Sequence, residues 1–264
     1  MPLIRPTRLL IAPLAALTLA ACSSTPKSDI SLIPTQTQDQ TQKDGVFTQP
    51  LNYQHVKPGC TGECPRLEVK SLIFPGNSAL TALVDQSLAQ MTILADRQPG
   101  YRTLKEFENY YWATANDKDV VQLAARTRYR NRDLTVVELS SGIYMTGAAH
   151  GMTASQFLNW DNRLNQALPL DRLLAPGRQA QFQALAQQAH AAWVQTLPDA
   201  QQDPQGWSRM WPFQPAINVA LTDQGLVVKY NAYEIAPYSL GQPELLLPYS
   251  QLRGILRPEY LPAS

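Results

Sequence analysis

The sequence predicts an α+β fold, an antiparallel β-sheet with helices packed on one face, and three observations carry that expectation. Two long alternating segments, Val120 to Tyr129 and Leu134 to Met145, are separated only by Asn131-Arg132-Asp133. Short polar turns between alternating runs favour an antiparallel meander. Two other stretches, from Ser78 and from Arg178, step their apolar residues by three and four, which gives a helix one buried face. Near the C-terminus, Asp223-Gln-Gly225 joins two short apolar runs as a hairpin turn would, with glycine at the expected bulge position. Strands and helices of this kind make one layer on another.

Taken in order, Arg66 to Phe74 alternates Leu67 and Val69 with polar residues and reads as a half-buried strand. Pro75-Gly76-Asn77-Ser78 breaks it and offers a helix start. Leu80, Leu83, Val84, Leu88, Met91 and Leu94 then fall on one face of a helix expected to run to about Asp96. Thr103 to Ala115 repeats the pattern with Leu104, Phe107, Tyr110 and Tyr111, although its aromatics would also suit a strand. The meander follows, and Ser155 to Asp161 is its third strand. Leu170 to Leu174 is expected as a helical turn. Arg178 to Leu197 is a firmer helix with Phe182, Leu185, Ala189, Trp193 and Leu197 on one face, ended by Pro198. Gln201 to Pro215 reads as a polar, proline-rich loop whose Trp207, Trp211 and Phe213 either pin it to the core or form a ligand shelf. Ile217 to Thr222 and Leu226 to Tyr230 make the hairpin, Glu244 to Leu247 a last strand, and Tyr249 to Leu252 a short helix.

The N-terminal 21 residues carry Arg5 and Arg8 and then an apolar run from Leu9 to Leu19. A run of about eleven residues cannot span a bilayer, which needs roughly 20, so residues 1–21 read as an export signal. Leu19-Ala20-Ala21-Cys22 resembles the bacterial lipobox. That resemblance implies lipidation of Cys22, attachment to the membrane through the N-terminal lipid, and, because Ser23 replaces an acidic retention residue, the periplasmic face of the outer membrane. A single acyl chain holds a protein only marginally, whereas three anchor it for good. Residues 22–45 are rich in Ser, Thr, Gln, Asp and Lys and read as a flexible tether, leaving 46–264 as one periplasmic domain. Without Arg5 and Arg8 the chain has 20 basic against 21 acidic residues, a formal charge of −1, which argues against a nucleic-acid partner.

Cys60 and Cys64 form an even pair in an oxidising compartment, and a disulfide across the Thr61-Gly62 turn is expected. A metal site would have to add His55 and would still have only three ligands nearby, so no metal is assigned.

Two stretches stand out chemically. Tyr144-Met-Thr-Gly147-Ala-Ala-His150-Gly151 closes an alternating strand, uses two glycines and holds a histidine between them. Tyr233-Glu-Ile-Ala-Pro237-Tyr238-Ser239-Leu-Gly241 reads as its partner. His150 could be a general base with Ser141 and Asp161, but neither a nucleophile elbow nor HExxH spacing is present. Three histidines in the whole chain supply acid–base chemistry poorly. No catalytic residue and no cofactor are therefore assigned, and His150 is expected to bond its own turn or a partner. Pro237 stiffens a loop that projects Tyr238, which reduces the entropy lost on docking, and tyrosine is enriched at binding hot spots. The alternative is that both residues pack back on the sheet. Tyr144, His150, Tyr233, Pro237, Tyr238 and Ser239 are the candidate partner-binding residues.

The YxxGAAHG motif and the C-terminal block from Tyr233 to Leu252 resemble the DUF3298 domain, also called the RsiV family. Val69 through the helix after Asn77 looks like the DUF4163 region that usually precedes it. Together they cover roughly residues 46 to 255. The family pattern has Gly-Gly-Ala-His-Gly where this chain has Ala148 at the second position. The resemblance implies a non-enzymatic sensor or binding module of the cell envelope, and in some relatives capture of lysozyme. The expectation is a lipid-anchored periplasmic binding protein whose partner is a lysozyme or another muramidase, or a peptidoglycan-associated protein. An assembly lipoprotein without a soluble ligand is the alternative, and an enzyme acting on the cell wall is third.

Overall fold

The expected meander forms the middle of a six-stranded sheet in the computed structural model, which describes residues 46–94, 98 and 100–262. The signal, Cys22 and the tether lie outside the described residues. The strands are β1 (Gln49–Val56), β2 (Arg66–Ile73), β3 (Val120–Arg130), β4 (Leu134–Tyr144), β5 (Met152–Asp161) and β6 (Gln166–Ala167), in that spatial order. All neighbours are antiparallel except β2 and β3, which run parallel. Two helices separate that pair, α1 (Ser78–Gln90) and α2 (Leu104–Thr114), and a crossover of this kind is what parallel neighbours require. β1 was not expected. It is an exposed edge strand, with Leu51 and Val56 both open to solvent, and so lacks the buried alternation that marks the others.

Helix α1 starts where Asn77 Oδ1 accepts the Leu80 amide at 2.9 Å. It buries Leu80, Val84 and Leu88 but stops at Gln90, well before the expected Asp96. The stop comes from tightened amide bonds at Thr92 and Ile93 and from the Thr92 hydroxyl, which donates to the Ala89 carbonyl at 2.6 Å. Leu94 then faces solvent. For α2, Thr103 Oγ1 accepts the Glu106 amide at 3.1 Å, and Leu104, Phe107 and Tyr111 turn inward. These residues cover Leu67, Val69, Val121, Leu123, Val137, Leu139, Leu158 and Trp160 on one face of the sheet. Burying each large apolar side chain stabilises by about 1.5–3 kcal/mol.

The opposite face carries a separate three-stranded antiparallel sheet of β7 (Val219–Leu221), β8 (Gly225–Lys229) and β9 (Glu244–Pro248), in the order β7-β8-β9. The fold class is α+β as the sequence predicts. The C-terminal strands, however, form this second layer instead of extending the first. Between them in sequence come α3 (Leu170–Leu173), α4 (Gln179–Val194), α5 (Pro198–Gln202) and α6 (Pro204–Met210), and α7 (Tyr249–Leu252) follows β9. Phe182 and Ala186 of α4 pack with Leu134, Val136, Phe157, Leu221, Leu226, Val228 and Leu247. Strand β4 therefore feeds both cores, Val136 to one and Val137 to the other. Gly225 does not adopt a left-handed conformation; a Cβ there would run into the Leu247 carbonyl, so close approach of β9 is what requires glycine.

Residues 198 to 210 correct the expected loop. Pro198 and Pro204 stand at the first turns of α5 and α6, where the missing amide costs nothing, and Asp203 Oδ1 caps α6 by accepting the Gly206 amide at 2.9 Å. Pro198, expected only to end α4, also begins α5, and Pro204 begins α6 inside the expected loop.

Asparagines and a charge network join the two sheets. Asn159 Nδ2 donates to the Val219 carbonyl at 2.7 Å while its Oδ1 accepts the Leu221 amide at 2.9 Å. Asn218 Oδ1 accepts from Phe157 N at 2.8 Å, and Asn231 Oδ1 from Ser155 N at 2.7 Å, so side-chain amides serve the open edge of β5. Buried Glu138 accepts Lys229 Nζ at 2.6 Å and Arg126 Nη2 at 2.7 Å, and Arg128 and Lys229 both reach Glu244. Burial pushes the Glu138 carboxyl up, but these donors and their charges outweigh it and hold it below the ordinary carboxylate range.

Candidate functional site

The turn between β4 and β5 brings His150 to the end of the six-stranded sheet. Gly147 has φ +87°, the left-handed conformation glycine enters freely. Ala148 does not share it, so the departure from the family's second glycine falls at a residue that any amino acid can fill. Asp119, itself buried, anchors the turn by accepting the Thr146 amide and hydroxyl at 2.7 Å each, and the hydroxyl also meets the Asp117 carbonyl. At Gly151 a Cβ would lie 3.4 Å from the Ile143 carbonyl, a close fit between the two arms of the turn.

His150 Nδ1 lies 2.9 Å from the Gly151 carbonyl. A carbonyl can only accept, so Nδ1 carries the proton and, in the neutral ring, Nε2 presents its lone pair outward. Tyr233 Oη lies 3.4 Å from that nitrogen and donates to it. The second loop arrives from β8. Asn231 N donates to Glu234 Oε2 at 2.8 Å, Ile235 and Ala236 are buried as anchors, and Pro237 leads into a short 3-10 turn, Tyr238–Leu240, closed by Gly241 at φ +66°. Tyr233 sits at φ +70°, unusual for a residue with a bulky Cβ, and its side chain is 53% exposed. Strain of about 1–3 kcal/mol persists only where the surroundings impose it, and such residues cluster at functional surfaces.

The two loops, 83 residues apart in sequence at His150 and Tyr233, make one ring cluster. His150 and Tyr238 lie 4.9 Å apart, Tyr233 and Tyr238 5.6 Å, and Trp211 stacks on Tyr233 at 6.4 Å. All tilt by 25–35° to one another, giving a shelf of four rings from three segments. Tyr238 Oη completes it by reaching the Gly151 carbonyl at 3.4 Å. Pro237 is half-buried and Ser239 exposed beside the rings. Tyr144 ends β4 opposite Val120 and makes none of these ring contacts. Trp211 belongs to the shelf although the motifs omit it; a proline-bounded run of aromatics at 207 to 213 was its only signal. Trp207 of that run is buried as a pin, and Phe213 packs against His190 at 5.5 Å.

The nominal partners of His150 lie elsewhere. Ser141 is buried in the core face of β4, and Asp161 pairs with Leu134 at the far end of that strand. Nine residues of strand separate Leu134 from Ile143, so roughly 30 Å lies between the ends. Among the described residues no group of three or more His, Cys, Asp or Glu could hold a metal, and no helix is long and apolar enough to cross a membrane. Cys60 and Cys64 form the expected disulfide, while His55 turns to Glu108, 2.6 Å away.

Fold and shelf together define a class, an α+β domain of two stacked sheets that presents aromatic rings from loops distant in sequence at one sheet end. The DUF3298 family model, described as a protein of unknown function, matches residues 171–250. A solved DUF3298 protein from Pseudomonas aeruginosa PAO1 is 36% identical, with a TM-score of 0.76 over 83% of this chain and 98% of that one. A second, from Bacteroides fragilis NCTC 9343, is 18% identical, with a TM-score of 0.63 over 81% and 94%. No curated protein matches. The chain belongs to the DUF3298 family.

Proposed function

We propose that this chain is a lipid-anchored periplasmic binding protein of the cell envelope that takes a protein partner on the His150, Tyr233, Tyr238 and Trp211 shelf. In this reading it is of the RsiV type, the segment from Val69 through α1 is the DUF4163-like part, and the first partner to test is a lysozyme-like muramidase. The observation that carries it is the meeting of two distant motifs in one exposed cluster that holds Tyr233 at positive φ. Large rigid rings bury much area with few rotors, which suits them to a partner's cleft. Lipidation of Cys22 would keep the shelf in the periplasm.

Calorimetric titration of the purified chain with a panel of muramidases tests this directly. Micromolar affinity or better is expected, about −8 kcal/mol, weakened by more than about 1.4 kcal/mol in Tyr238→Ala. Absence of binding to every muramidase, with co-purification of an envelope complex instead, would move the assignment to an assembly lipoprotein.

A further inference from the structure

Beside the shelf, the second sheet leaves part of the first uncovered. Facing that sheet, the row Arg126, Glu138 and Phe157 is roofed by Lys229 and its neighbours. Two rows nearer the shelf stay open, Lys70, Ala124 and Ser140, then Glu68, Gln122, Gly142 and Thr153, while Ser155 at the end of the first row is buried against Asn231. They form a trough of about 440 Å³, with Gln242 from the loop before β9 on its far wall. Strands stand about 4.8 Å apart, so four of them give a floor roughly 14 Å across.

The floor is built against strand preference. Central strands favour β-branched and aromatic residues, yet Ala124, Ser140 and Gly142 occupy the middle here. At Gly142 the missing side chain leaves room for Gln122, whose Oε1 would lie 3.5 Å from a Cβ there, so the floor stays flat. The polar groups are uncharged or already paired: Gln122 Nε2 donates to Glu68 Oε2 at 2.9 Å, and Lys70 neutralises Glu68 at 2.5 Å. Gln242 binds Asn231 only weakly, at 3.4 Å. A sheet face, unlike a sheet edge, offers no free amides or carbonyls for a polypeptide to pair with. The paired charges give no anchor to an ionic ligand, and there is no deep apolar pocket for a side chain. What remains is a flat array of amides and hydroxyls that leads past Thr153 and Gly151 to the Tyr238 ring.

We infer that this trough binds a neutral glycan strand, its hydroxyls and amides bonded by Gln122, Ser140, Thr153 and Gln242 and one sugar face set against Tyr238. The site shares Tyr238 with the protein contact proposed above but does not depend on that reading.

The test is calorimetric titration of the full-length chain, in mild detergent, with a tetramer of β-1,4-linked N-acetylglucosamine. Saturable binding is expected, weakened by more than about tenfold in Thr153→Lys and in the Gln122→Ala, Gln242→Ala double variant, with the thermal midpoint unchanged. The double variant changes only side chains outside the core, which guards against a folding defect in Thr153→Lys. No saturable binding by the unaltered chain overturns the proposal, and so does binding that both variants leave intact. Muramidase capture lost by Tyr238→Ala but kept by the trough variants would separate the two surfaces.

Discussion

Two polar regions of this molecule hold their hydrogen-bonding groups in opposite ways. Between the sheets, Glu138 and Lys229 are nearly sealed from water and meet at 2.6 Å, with every carboxylate oxygen of Glu138 and Glu244 in an ion pair. At the shelf, Tyr233, Tyr238 and His150 are exposed and their hydroxyls reach partners only at 3.4 Å. Short saturated bonds in a low dielectric fix one arrangement, while long exposed ones leave donors and rings free to exchange partners. Position relative to the two layers decides which of these polar groups are sealed and which stay open to solvent.

The sharpest way to break the fastening side is Glu138→Ala, which leaves buried Lys229 with Glu244 alone, 3.2 Å away. A loss of about 3 kcal/mol is expected in urea denaturation, with no such loss in any shelf variant. Asn159→Ala should cost about 2 kcal/mol by the same measurement, because the buried Leu221 amide and Val219 carbonyl lose their partner.

Acid should act on stability in two steps. Burial between Trp193 and Phe213 lowers the His190 pKa from its ordinary 6.5, so the unfolded chain binds the proton more readily. Stability contributed by the neutral ring is full above pH 6.5 and declines as pH falls below it. Glu138 and Glu108 are held below 4.5, and their contribution is kept above that pH and lost beneath it. Denaturation midpoints across pH 7 to about 3 should therefore fall in two stages, and His190→Gln should flatten the first. A single stage near pH 4 in the unaltered chain would count against this account.

The smallest effect sharpens the recognition side. Tyr233→Gly relieves the positive φ while removing ring contacts, so stability should stay within about 0.5 kcal/mol. Partner binding should nevertheless fall, and thermal melts beside titrations would read both.

Local order explains what was legible. The sequence by itself determined the meander, the helices begun by Asn77 and Thr103, the disulfide pair, and the two motifs, because periodicity, capping and turn chemistry act within a few residues. It overran α1, since a helical period does not register the Thr92 hydroxyl that closes the last turn. It missed the helices that begin at Pro198 and Pro204, because proline ends or begins a helix according to which side the neighbours lie on. Only the tertiary structure decided the parallel β2 and β3, the splitting into two sheets, the Glu138 network, and the arrival of Tyr233 beside His150 and of Trp211 beside Tyr233. Each of those pairs residues tens of positions apart, and such contacts are selected by the joint burial of both cores, which no single stretch of chain encodes.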